Sequence, residues 1–292
     1  MPEAPHSPRR PLPVMEQQRP AASAPRRPAQ TPIAYPHLGR VIAVSSGKGG
    51  VGKSTVAVNL AVALAAAGSR VGIMDADIYG PNLPRMLGLH ERPQVDEHLN
   101  KIVPLEAHGV KVISLGLLID KDQPAIWRGP IVMKIIGQFL GDVMWGTLDY
   151  LIVDMPPGTG DAQLSLVQST HVHGAVIVTT PQEVAVGDAL RGVRMFQRVE
   201  VPVLGIVENM SYLECPHCGK PSQIFGSGGG ERLARELGLP LLARVPLYPR
   251  IVAGADMGQP IVVAEPNVAA AKAFVTLAQR IAEMALATAA PA

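Results

Sequence analysis

Gly47-Lys48-Gly49-Gly50-Val51-Gly52-Lys53-Ser54-Thr55 follows the apolar run Val41-Ile42-Ala43-Val44-Ser45 and precedes Val56-Ala57-Val58-Asn59-Leu60-Ala61. It fits G-x(4)-G-K-[ST] and stands where that pattern has a mechanism, after a strand and before a helix. Glycines let the backbone turn and bring its N–H groups close to phosphate oxygens, while the following helix presents its positive end to the same anion. Gly47, Lys48, Gly49, Gly50, Val51, Gly52, Lys53, Ser54 and Thr55 are therefore expected to cradle ATP. Lys53 is expected to reach the β- and γ-phosphates, and the Ser54 hydroxyl to ligate Mg²⁺.

Outward from this loop, short β-branched runs alternate with helical stretches. Strands are predicted at 41–45, 71–75, 110–115, 151–154, 175–179, 203–208 and 241–245, and helices at 55–67, 131–144, 184–199, 229–237 and 268–287. The strand runs are almost continuously apolar, as strands covered on both faces are, and the helices are long enough to cross between parallel strands. The expectation is an α/β fold: a single P-loop NTPase domain with a mostly parallel central sheet flanked by helices on both faces. No repeat of fixed period is visible.

Of the 292 residues, 47% are hydrophobic and 17% charged, a balance that suits one large core or two modest ones. Proline crowds the first forty residues, so residues 1–36 are expected to form a disordered Pro/Arg-rich extension, 37–287 the ATPase domain and 288–292 a flexible tail. The extension carries Arg9, Arg10, Arg19, Arg26, Arg27 and, at its edge, Arg40 against Glu3 and Glu16. That reads as a solvated basic tail, with a weak anionic partner as the alternative. A net charge of +2 is too small to imply nucleic-acid binding. No run approaches the ~18 to 20 apolar residues of a membrane span, and no secretory signal is visible, so a cytoplasmic protein without a membrane partner is expected.

Two strands end in acids, at the carboxyl edge where ligands of an open α/β sheet collect. Asp75 and Asp77 close the second strand as D-A-D, and Asp154 opens D-M-P-P-G-T-G-D. A strand-end acid can be a turn residue, but beside this loop Asp154 is expected to hold Mg²⁺ or its water.

The only cysteines, Cys215 and Cys218, lie in Y-L-E-C-P-H-C-G-K, a metal-binding loop near 212–222. Their spacing suits thiolate ligation of zinc or of an iron–sulfur cluster. Either metal centre normally takes four protein ligands, so two chains related by a two-fold axis would complete the set and a homodimer is expected. Zinc, iron–sulfur and a thiol redox pair all stay open on spacing alone. His217, inside the pair, is read as a loop residue.

The loop's second lysine makes it the deviant form K-G-G-V-G-K-[ST], which resembles the MinD, ParA, nitrogenase iron protein and arsenical-pump ATPase group. That resemblance implies that Lys48 reaches across a nucleotide-sandwich dimer to the partner's phosphates. It implies a water-orienting or base role for Asp77, and an adenine contact for Asn209 in E-N-M. Together, S-S-G-K-G-G-V-G-K-S-T, D-A-D-I-Y-G-P-N, Trp127-Arg128-Gly129-Pro130, D-Y-L-I-V-D-M-P-P-G-T-G-D and E-N-M-S-Y followed by C-P-H-C resemble the Mrp (ApbC) family over residues 36 to 285. The resemblance implies a homodimeric carrier with a bridging [4Fe–4S] cluster held by Cys215 and Cys218 of both subunits. The cluster would come from a donor and pass to iron–sulfur apoproteins, with ATP binding or hydrolysis coupled to loading or release. Many bacterial members carry a small folded domain ahead of the ATPase, where this sequence has the Pro/Arg-rich extension, so that domain's roles are not carried over. Two other readings are a dimeric ATPase with a structural zinc and a MinD/ParA-like positioning ATPase. The latter would need a basic amphipathic terminal helix, whereas residues 268–287 hold Lys272 and Arg280 amid alanine and aliphatics.

Overall fold

The fold is that of a computed structural model, which describes residues 33–77, 80–118, 129–215 and 217–287. Most of the extension, the terminal tail, and Trp127 and Arg128 lie outside those residues. The central sheet contains β1 (Arg40–Ser46), β2 (Val71–Asp75), β3 (Leu105–Ala107), β4 (Val110–Ser114), β5 (Tyr150–Asp154), β6 (Gly174–Thr179), β7 (Val203–Glu208) and β8 (Leu241–Arg244). Their spatial order is β8-β7-β6-β1-β5-β2-β4-β3. Every pairing is parallel except β3 on β4, which closes one edge as an antiparallel hairpin.

Both faces of the sheet are covered, and the period-two alternation of each strand divides its side chains between two cores. Ile42, Val44, Ile73, Ile152, Val176 and Val178 point to one side, under α1 (Lys53–Ala66) and α9 (Ala269–Ala287). There Leu60, Leu64, Phe274, Leu277 and Ile281 complete the layer. Val41, Ala43, Met74, Leu151, Val153 and Ile177 point to the other, against α3 (Gly129–Gly141), α4 (Asp161–Ser169) and α5 (Glu183–Arg198). Helix α5 shows why it lies there: Val186, Ala189, Val193 and Phe196 recur at helical spacing and are buried, whereas Arg191 and Arg194 face away. Helix α1 is buried nearly all round because α9 packs over the face it turns from the sheet.

The helix predicted at 131–144 ends at Gly141. Lys101 Nζ donates to the Gly141 carbonyl at 2.7 Å, and the chain then pairs with Ile102 through Met144 N–H at 2.8 Å. Apolar Val143 and Met144 thus extend the helical pattern in sequence but bond to a strand in space. The sequence reading also passed over α4, the edge strand β3, the four-residue helix α2 (Leu83–Met86), α6's successor α7 (Pro249–Asp256) and α8 (Ile261–Ala264), after the predicted α6 (Gly229–Leu237). Among the described residues no helix is long and apolar enough to cross a membrane.

Candidate functional site

The loop between β1 and α1 lies at the carboxyl edge of the sheet, where the strand order reverses about β1: β5 and β2 lie to one side and β6 to the other. Gly50 and Gly52 both have φ +81°, which an L side chain rarely adopts. Gly47 meets a different constraint, since a Cβ there would stand 2.0 Å from the Asp188 carbonyl carbon on α5. Helix α1 begins with no side-chain cap and no acid in its first turn. Its first N–H groups and dipole are thus presented outward, as an anion site requires.

Lys53 is buried at the floor of the loop. Its Nζ lies 2.6 Å from Asp154 Oδ1, 3.8 Å from Asp77 Oδ2 and 3.3 Å from Ser54 Oγ. Three segments that are separate in sequence are therefore brought to one point. Strand register does the rest, because Asp75 and Asp154 are direct partners on β2 and β5. Asp75 accepts from the Asp77 N–H at 3.0 Å and the Ser114 hydroxyl at 2.9 Å. Burial, and secondly the Asp154 charge, push its carboxyl up to about 8. The neighbouring acids thus differ in role: Asp75 takes a proton readily and Asp154 faces the lysine.

Magnesium fits this donor set. Asp154 Oδ2 is buried with no hydrogen-bond partner among the described residues, and the Ser54 hydroxyl meets the same lysine. A cleft of about 340 Å³ opens above, bounded on one side by Lys48, Gly49, Gly50, Ser54 and Thr55 and on the other by Asn82, Arg85, Met86, Val252 and Asp256. Arg85 and Asp256 pair across the second wall at 3.0 Å.

Asn209 is buried at the end of β7. Its Nδ2 donates to the Val51 carbonyl at 2.8 Å, and a Cβ on Gly52 would come within 2.1 Å of that nitrogen. The residue expected from resemblance to meet adenine is here bonded to the phosphate loop. Sequence reasoning missed two further buried polar residues. Gln163 Nε2 donates to the Pro156 and Gly158 carbonyls, each at 2.8 Å, holding the loop after Asp154. Glu208, fully buried, accepts from Ser211 Oγ at 2.5 Å and from the Gly230 N–H at 2.6 Å. Each is a lone polar residue in a mixed context, and only its burial marks it.

Six residues beyond Asn209, Cys215 and Cys218 occupy the tip of a small antiparallel hairpin, Leu213–Glu214 with Pro221–Ser222. The tip is closed by Cys215 N–H to the Lys220 carbonyl at 3.0 Å and Gly219 N–H to the Cys215 carbonyl at 2.9 Å. Cys218 is exposed and Cys215 half-buried. The backbone N–H groups of Cys218 and His217 point at the Cys215 sulfur and, with the Cys218 thiol, hold its pKa below the ordinary thiol value. Among the described residues no three His, Cys, Asp or Glu side chains gather as a metal site. The described residues of one chain thus offer two thiols and no third ligand.

An uncapped helix behind a glycine loop, a buried lysine and two in-register carboxylates at a sheet's carboxyl edge define a nucleotide-binding P-loop protein. Comparison with known proteins narrows the class. Residues 37–282 match the family described as ParA: NUBPL iron-transfer P-loop NTPase, and the chain belongs to that family. The "Iron-sulfur cluster carrier protein" of Synechocystis sp. is 58% identical over 246 residues, covering 83% of this chain and 70% of that protein. The mitochondrial "Iron-sulfur protein required for NADH dehydrogenase" of Arabidopsis thaliana is 52% identical, covering 82% and 77%. Among solved structures, a nucleotide-binding protein from Archaeoglobus fulgidus in complex with ADP superposes with TM-score 0.69 at 40% identity, covering 80% of this chain and 90% of that one. The cell division ATPase MinD of Pyrococcus furiosus superposes with TM-score 0.64 at 26% identity, covering 85% and 100%.

Proposed function

We propose that this protein is an ATP-hydrolysing carrier that binds a [4Fe–4S] cluster between two copies of the chain and hands it to iron–sulfur apoproteins. The observation that carries this reading is the Cys215/Cys218 tip, with Cys218 exposed: two thiols, one with its pKa lowered by backbone N–H groups, and no third ligand among the described residues. The names borne by its relatives support the cargo, and the ADP held by the Archaeoglobus protein supports the nucleotide.

In this reading the loop N–H groups and the α1 dipole bind the phosphates, and Lys53 leaves Asp154 to meet them. Magnesium, held by Ser54 and Asp154, supplies charge neutralisation when bound. Asp77 orients the attacking water, Lys48 stabilises phosphate charge on the partner's nucleotide, and Asn209 steadies the loop while meeting the base. The cluster donor and the apoproteins meet the hairpin tip. A structural zinc is the second reading, which the same thiol geometry would accept.

Anaerobic reconstitution with iron and sulfide tests the proposal. The expected product is a brown dimer with about four irons per two chains, lost in Cys215→Ala/Cys218→Ala while nucleotide binding persists. One zinc per dimer and no stable iron would overturn it.

A further inference from the structure

The segment joining the phosphate loop's support to the thiol hairpin is unusual. Met210 has φ +53°, in the left-handed region that a non-glycine side chain rarely occupies. It lies between Asn209, whose amide holds the Val51 carbonyl, and Ser211, whose hydroxyl donates to Glu208 across the bend. The backbone is pinned on both sides. Asn209 N–H reaches the Thr179 carbonyl at 2.8 Å, Ser211 N–H the Val245 carbonyl at 2.9 Å, and Val245 N–H the Glu208 carbonyl at 2.9 Å. Glu208 itself is seated in the first turn of α6, where a Cβ on Gly230 would come within 3.0 Å of its Cβ. The hairpin begins two residues after Ser211.

A bend fixed by local bonds alone needs no such anchoring, and a hinge would favour glycine. Here a strained residue is locked by a buried carboxylate, with the phosphate loop on one side and the thiols on the other. We propose that residues 208–211 form a rigid elbow through which nucleotide occupancy of the loop changes the exposure of Cys215 and Cys218, with Glu208 and Ser211 as its positioning residues. The inference rests on reading the cleft as the nucleotide site and the hairpin as the cargo site. Because Asn209 touches the loop carbonyl directly, any shift of Val51 on phosphate binding displaces Asn209. A stiff elbow passes that displacement to Tyr212 and the hairpin, whereas a loose one absorbs it at Met210.

The test uses thiol chemistry in place of the cluster, so that it stands whether or not iron is ever bound. Full-length protein is alkylated with iodoacetamide without nucleotide and with saturating Mg-ADP or Mg-ATP, sites being read by mass and oligomeric state by sizing. Nucleotide is expected to change the wild-type rate at Cys215 and Cys218 by about fivefold or more, the lower end of ordinary site-to-site coupling. Glu208→Gln and Ser211→Ala should bind nucleotide within about twofold of wild type yet bring that ratio close to one. Met210→Gly, which keeps the turn but frees it, should do the same while remaining folded, and it carries the test with Ser211→Ala if Glu208→Gln does not fold. A wild-type ratio of one, or variants that keep the full ratio, would overturn the coupling. Failure of iron reconstitution beside an intact ratio would instead strike the proposed cargo.

Discussion

Asp75 and Asp154 stand side by side on β2 and β5, so at most one carboxylate is comfortable there. Asp75 has its pKa raised from 3.8 to about 8, so between those values the folded chain keeps a proton that the unfolded chain releases. Its contribution to stability is therefore complete below about pH 4 and is lost as pH rises through about 8. Asp75→Asn should flatten the fall in nucleotide-free stability across that window, measured by denaturant titration at several pH values. A slope equal to wild type would show that Asp75 titrates normally. Lys53 predicts the reverse kind of effect, because its removal leaves Asp154 buried without its cation. Lys53→Ala should cost about 3 kcal/mol of nucleotide-free stability and, through the lost phosphate contact, weaken nucleotide binding at least about tenfold. At this scale the glycine loop, Lys53 and the strand-end acids were legible because each falls in an ordered motif. Gln163, Glu208 and Ser211 were not, because their roles depend on what burial brings against them.

Between elements, the phosphate loop is shaped as much by α5 as by its own glycines. Gly47 has no room for a methyl group against the Asp188 carbonyl, since backbone on both sides cannot yield as a side chain would. Gly47→Ala is expected to lose more than about 2 kcal/mol and to lower nucleotide affinity with it, whereas Gly49→Ala, with open space around it, should leave stability nearly unchanged. Equal thermal midpoints for the two variants would refute that contrast. Both glycines match the same motif, so only packing separates them. Similarly, the end of α3 escaped the sequence pattern because Ile102 and Met144 pair over a distance that no local periodicity reports.

For the whole molecule, the proposed bridging site takes two thiols from each chain, and mixtures of chains test that sharing. If wild type and Cys215→Ala/Cys218→Ala are co-refolded in equal amounts before reconstitution, random pairing gives about a quarter of dimers with four thiolates. Iron retained should then follow the square of the wild-type fraction. A linear dependence would mean that each chain holds its metal alone.

The sequence by itself determined the parallel α/β layering, the phosphate loop and the pairing of two thiols. These rest on local periodicity, glycine conformation and ligand spacing, all of which operate over a few residues. Only the tertiary structure decided that Asp75 lies against Asp154, that Asn209 props Val51, and that Glu208 is held by the first turn of α6. Strand register and burial create those contacts, and both arise between segments tens to more than a hundred residues apart.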